Sequence, residues 1–139
     1  MVAELSQLQQ LMMGQIPSLK MGDLPHQVAK EIGCHPGIIF LGANELRHIA
    51  NKHKEMGREQ FQQIPLLMKT ASYYLRSERN NELTVFSRPE WEDKFYKLGL
   101  KSASGGSEVW IQTMFRITER KAVKAARKLR HLHGPRIDI

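Results

Sequence analysis

Cysteine is almost missing from this chain. Cys34 is the only one, so no intramolecular disulfide can form and a thiolate-rich zinc site is excluded. A reducing compartment, the cytoplasm, is the expected setting, whether of the producing cell or of a target or host cell. Long apolar runs are missing too. The longest falls far short of the ~20 residues that cross a bilayer, so no membrane partner is expected. Residues 1–19, MVAELSQLQQLMMGQIPSL, lack the basic start and long apolar centre of a secretion signal. Negative charge is scarce: 14 acidic residues face 21 Lys and Arg, for a net charge of +7. The segment from Thr118 onward holds seven of those cations against Glu119 and Asp138. Such a domain attracts polyanions, because cations that neutralise phosphates release condensed counterions.

What is present reads as one domain with a helical lead-in. Leu5, Leu8, Leu11 and Met12 recur at helical spacing. GDLPHQVAKEIG then offers Asp23 as an N-cap, Pro25 in the first turn and Gly33 as a stop. Residues 1–31 are accordingly read as the lead-in and 32–139 as the main domain. GIIFLG, 37–42, is a short apolar run between glycines and predicts a strand. The next segment, ANELRHIANKHKEM, predicts a helix that shows Leu46, Ile49, Ala50, His53 and Met56 on one face, with Arg47 and His48 opposite. REQFQQIPLLMKT predicts a helix near 58–69 that starts or bends at Pro65.

Beyond residue 71 the apolar period changes from 3.6 to 2. SYYLRS, ELTVFSR, KFYKLGLKSA and EVWIQTMFRI predict four strands, separated by the turns ERNN, PEWED and SGGS. In the last strand Val109, Ile111, Thr113, Phe115 and Ile117 are assigned to the core. Trp110, Gln112, Met114, Arg116 and Thr118 form the opposite face. TERKAVKAARKLRHLHG closes the chain as a basic helix capped by Thr118 and ended by Gly134-Pro135, with HLH at 131–133 solvated. The expected fold is α+β: N-terminal helices packed on a four-stranded antiparallel meander, then a closing basic helix.

His48 and His53 pose the functional question. Helical metal pairs sit at i and i+4; these are at i and i+5, about 140° apart on the wheel. No metal site and no cofactor are expected. Metal-free RNA cleavage is the chemistry the residue types do allow. It needs a group to deprotonate the ribose 2′-OH, cations to stabilise the phosphorane and an acid for the leaving 5′-oxygen. His48 and His53 are candidates for base and acid, in either assignment, and Lys52 and Arg116 for the charge. Arg47, Tyr96, Trp110, Gln112 and the last-helix cations Lys121 and Lys124 would contact the nucleic acid. Each has a plainer reading: His53 as a hydrogen-bonded residue at the core's edge, His48 as a solvated one, Arg116 as an outer-face strand residue, Thr118 as a helix cap.

The run IIFLGANELRHIANKH, followed by IPLLM, hairpin strands and a final FRIT, resembles the phage-type barnase–EndoU–colicin D–RelE-like nucleases over roughly residues 32–125. Leu46, His48, Ile49 and His53 match the helix motif, Pro65 its proline and Thr118 the hydroxyl that ends the last strand. The chain departs from the pattern at Lys52, where Arg is usual, and in the longer stretch KFYKLGLKSASGG. The resemblance implies metal-independent endoribonuclease activity by 2′-OH transesterification. Transfer RNA is a frequent substrate, Thr118 would bind a phosphate oxygen, and toxin members are held by an acidic immunity or antitoxin protein. Two other readings stand beside it. One is a nucleic-acid-binding module without chemistry. The other is a phage-type inhibitor protein that grips an acidic partner.

Overall fold

The structure, a computed structural model, describes residues 5–77, 82–103 and 106–139. The elements run α1 (Leu5–Met12), β1 (Ser18–Asp23), α2 (His26–Glu31), β2 (Ile38–Gly42), α3 (Ala43–Lys52), α4 (Arg58–Gln62), α5 (Ile64–Lys69), β3 (Ser72–Ser77), β4 (Glu82–Ser87), β5 (Phe95–Ser102), β6 (Glu108–Ile117), α6 (Glu119–Ala126) and β7 (Arg130–His133). The fold is α+β. Its sheet has seven strands in the order β1-β2-β6-β5-β4-β3-β7, not four. The meander β3–β6 is antiparallel as expected, and β2 joins it parallel to β6, with Phe40 opposite Trp110.

The added strands lie at the edges. SLKMGD alternates only over Leu19 and Met21, too short a pattern to mark a strand, yet it pairs with β2 as β1. Asp23 therefore belongs to a strand, and Pro25 occupies the N-cap of α2. RHLH is β7, paired with β3, so the closing helix ends at Ala126 and the HLH tripeptide is hydrogen-bonded strand rather than a solvated helix end. The lead-in shares the main core: Leu8, Leu11, Met21 and Val28 are buried with Ile39, Leu46, Ile49 and Leu98 in one cluster. Burying each such Leu, Ile or Val contributes about 1.5–3 kcal/mol. The expected break near Pro65 appears as two short helices, α4 and α5, with Pro65 in the first turn of the second. The turn expected at 78–81, and the first half of that at 104–107, lie outside the described residues.

Both sheet faces carry helices. Tyr73, Leu75, Val85, Tyr96 and Leu98 face the cluster formed with the N-terminal helices. Their strand neighbours Tyr74, Phe86 and Phe95 point the other way and pack against Ala122 and Ala126 of α6. Two alanines one turn apart let that helix approach the rings closely. The C-terminal segment is latched there: Tyr74 donates to Asp138 at 2.8 Å and accepts from the Ile137 N–H at 2.9 Å.

One irregularity decides which side chains of β6 meet. Gly99 pairs with Thr113 but Leu100 pairs with Ile111, so Gln112 is an extra, bulged residue. Val109 and Ile111 face the main core as expected; past the bulge it is Met114 that is buried there. Thr113, Phe115 and Ile117 thus turn to the second face, and Arg116 turns to the first. This corrects the uniform alternation read from the sequence.

Candidate nucleic-acid interface

Helix α6 covers only part of the second face. The remainder is built by alternation. Leu98 and Leu100 enter the core, so Lys97, Gly99 and Lys101 of β5 stand opposite. The same rule places Phe40 between Ile39 and Leu41, and Arg76, the extra residue at a bulge in β3, reaches the surface beside Glu82. Trp110, before the bulge, and Thr113 and Phe115, after it, complete the surface. Arg76 and Lys101 lie beside Glu82, Lys97 stands four positions back along β5 opposite Phe86, and Glu108 lies at the far end.

His53 reaches this face because α3 stops at Lys52. The helix has no terminating Gly or Pro there, but His53 takes an extended conformation (φ −123°, ψ 92°) while its N–H still donates to the Ile49 carbonyl at 2.8 Å. The ring leaves the helix face and stacks on Phe115, with centroids 4.9 Å apart and planes inclined by 20°. Lys97 Nζ lies 5.6 Å from the centroid of the same ring, a cation–π contact. Partial burial, and then the nearby Arg76 guanidinium, push the Lys97 amine below the ordinary lysine range. Arg76 is held by Glu82 at 3.8 Å. An imidazole, an ammonium less firmly protonated than an ordinary lysine's and a permanently charged guanidinium therefore share one half-exposed surface with aromatic rings.

Arg116 is on the other side of the sheet. It pairs across with Tyr96, and its Nη1 donates to Glu92 Oε1 at 2.8 Å. Tyr96 is buried and donates to Glu92 Oε2 at 2.7 Å; burial and that bond raise its hydroxyl to about 12. Tyr96 therefore cannot stack on a base from where it stands, and the Arg116 guanidinium is engaged by a carboxylate away from the His53 ring. His48 and Lys52 are exposed on α3. Arg47 leans toward Gly14 in the turn after α1, where a Cβ would meet its Nη2 at 2.9 Å. Thr118 caps α6, its Oγ1 accepting from the Lys121 N–H at 3.3 Å. Lys121 and Lys124 are exposed, and Lys124 lines an open basic groove with Arg120, Val123 and Arg127. Of the residues singled out from sequence, the structure brings His53, Trp110 and Gln112 to the open face.

Comparison with known protein families, curated proteins and solved structures finds no match for this chain. The geometry therefore carries the assignment. Among the described residues no group of three or more His, Cys, Asp or Glu could hold a metal ion, and no helix is long and apolar enough to cross a membrane. Cys34 is buried, its thiol raised by burial and by Glu108, and it donates to the carbonyls of Gly106 and Glu108. Those contacts make it a structural thiol. Sequence reasoning missed Arg76, Phe40, Lys97, Gly99 and Phe115. The signal for Lys97 and Gly99 was there, in the alternation Lys97-Leu98-Gly99-Leu100-Lys101. The signal for Phe115 was not, because it depends on the bulge.

Proposed function

We propose that the protein is a metal-independent endoribonuclease whose chemistry takes place on the open sheet face around His53. One observation carries this reading: the imidazole of His53 and the low-range amine of Lys97 both pack on Phe115, beside Arg76, on a surface that favours phosphate. His53 takes the proton of a ribose 2′-OH. The 2′-oxygen attacks phosphorus, the bond to the 5′-oxygen breaks, and a 2′,3′-cyclic phosphate forms. Lys97, charged but a stronger acid than an ordinary lysine, protonates the leaving 5′-oxygen. Arg76 stabilises the phosphorane charge. The resemblance in the α3 segment supports the same reaction class and suggests transfer RNA as substrate, cytoplasmic action and an acidic inhibitor that would cover these cations.

Compared with the sequence-based assignment, His53 keeps an acid–base role, Lys97 takes the other one, offered to His48, Arg76 takes the charge-stabilising role given to Lys52 and Arg116, and Thr118 serves as a helix cap. A second reading is favoured by a specific observation: His53 is the one imidazole among the described residues that stacks on this face, so the surface could bind RNA without cutting it. Incubation of the protein with end-labelled transfer RNA separates the two. Cleavage that survives EDTA and falls at least ~100-fold in His53→Ala, the usual scale for a lost general base, supports the nuclease. Intact RNA bound by both proteins supports the binding module. No binding at low salt points to a protein partner.

A further inference from the structure

The open face continues well past His53. Phe115 lies five positions after Trp110, one of them taken up by the bulge, so the two rings stand about 13 Å apart along the strand. Trp110 is half-buried and stacks on Phe40 of the neighbouring strand, with centroids 5.3 Å apart and planes inclined by 29°. Lys101 lies directly across from Trp110. At this end the surface therefore repeats the pattern found at Phe115, an aromatic platform beside a cation.

Between the platforms the sheet has no side chain at Gly99. A Cβ there would stand 2.6 Å from Thr113 Oγ1, so a larger residue would crowd the threonine. The gap forms a recess of about 40 Å³ whose rim includes Arg76, Glu82, Gln112 and Thr113. A glycine inside a strand often marks the close approach of a ligand or another backbone. The rim offers a guanidinium and an amide to a phosphate, and a carboxylate and a hydroxyl to a ribose 2′-OH.

We infer that this end of the face is a binding subsite for an unpaired RNA strand: a base stacks on the Phe40–Trp110 platform while the sugar-phosphate crosses the Gly99 recess toward His53. The inference rests on the reading of the face as an RNA site and adds the class of RNA it accepts. Successive bases in a helical strand lie about 3.4 Å apart and cover one another's faces. A paired base has no face left for a protein ring, whereas the bases of loops and single strands do. Two platforms about 13 Å apart also cannot hold adjacent stacked bases. The face thus selects splayed nucleotides. The Glu45 carboxylate, which sits beside Gly42 next to the Trp110 ring, is placed to accept from a base amino group.

The test uses the full chain carrying His53→Ala, so that RNA stays intact, and Trp91→Phe, so that Trp110 is the one emitting indole. Its fluorescence is titrated with a short single-stranded RNA and with the same sequence as a perfect duplex. The single strand quenches Trp110 and binds at least tenfold more tightly than the duplex. Trp110→Ala, followed by a labelled RNA, weakens single-strand binding roughly five- to a hundredfold, the range for one lost base stack. Trp110→Phe, which keeps a ring, restores most of that loss and shows that the effect is stacking rather than misfolding. Equal affinity for duplex and single strand, or Trp110→Ala binding like its parent, overturns the inference. Cleavage by the wild-type chain would then leave the nuclease reading in place. RNA that neither binds nor is cut removes both.

Discussion

Lys97 shows how a residue can serve a surface at the expense of the fold. Its amine is partly buried beside Arg76, and both effects disfavour the charged form in the native state. The unfolded chain holds that proton with ordinary lysine affinity. Between the depressed native value and the ordinary one, the unfolded chain binds more protons, so stability rises with pH across that window. Below the window the native state carries the whole cost of the charge. Lys97→Met should therefore raise Tm at neutral pH, remove the alkaline rise in stability and weaken RNA binding. Thermal melts of both proteins from neutral to alkaline pH check it; a lower Tm for the variant at neutral pH contradicts it. His53 has a different origin. Its ring position comes from the backbone turning out of α3 after Lys52, four residues before the end of the apolar pattern at Met56.

Among the elements, β6 is the one that organises the site, and Arg116 anchors its end. The Glu92 carboxylate accepts from Arg116 and from Tyr96, and the Arg116 backbone N–H lies 3.5 Å from Glu55 Oε2. The Glu92 side chain is only 17% exposed, against 31% for Arg116, so removing the guanidinium leaves a carboxylate poorly solvated. Arg116→Ala should cost about 1–3 kcal/mol, less than a fully buried pair because water reaches part of it. Turnover per folded molecule should stay within a few-fold of wild type. Denaturant melts alongside cleavage rates check both parts. An unchanged melt with a 100-fold slower reaction would instead put Arg116 at the phosphorane. The four meander strands were legible from their β-branched and aromatic residues between turns, and in β5 from the alternation of Leu98 and Leu100 with Lys97, Gly99 and Lys101, although β3 and β4 are buried on both faces. β1 and β7 were not: SLKMGD offers only Leu19 and Met21, and RHLH only Leu132, too little to mark a strand, and edge pairing on β2 and β3 gives them their structure. The bulge at Gln112 leaves one trace in the sequence, the three-residue step from Ile111 to Met114, which a strict alternation reads through. The position of Phe115 on the second face follows from that step, which is why Arg116 was assigned to the wrong side of the sheet; Tyr96 was misplaced for another reason, since the Leu98–Leu100 alternation of β5 already puts it on the core side.

For the molecule as a whole, charge is segregated in two places on the second face: the basic outer surface of α6 and the strand surface of Arg76, Lys97 and Lys101. If those three strand cations neutralise three phosphates, log K for a single strand falls with log salt at a slope of about −2. Additional contacts from Lys121 and Lys124 would steepen it. A slope near zero in a salt titration would mean that the strand is not held by these cations. The N-terminal helices, buried in the same core as the sheet, fix α3 and so fix where its end delivers His53.

Product analysis tests the central claim most directly. End-labelled transfer RNA is incubated in EDTA with wild type and with His53→Ala, and the new 3′ ends are identified. Wild type should give 2′,3′-cyclic phosphate ends, and the variant at least ~100-fold fewer of them. Intact RNA with the wild type, or equal cleavage by the two proteins, would contradict it.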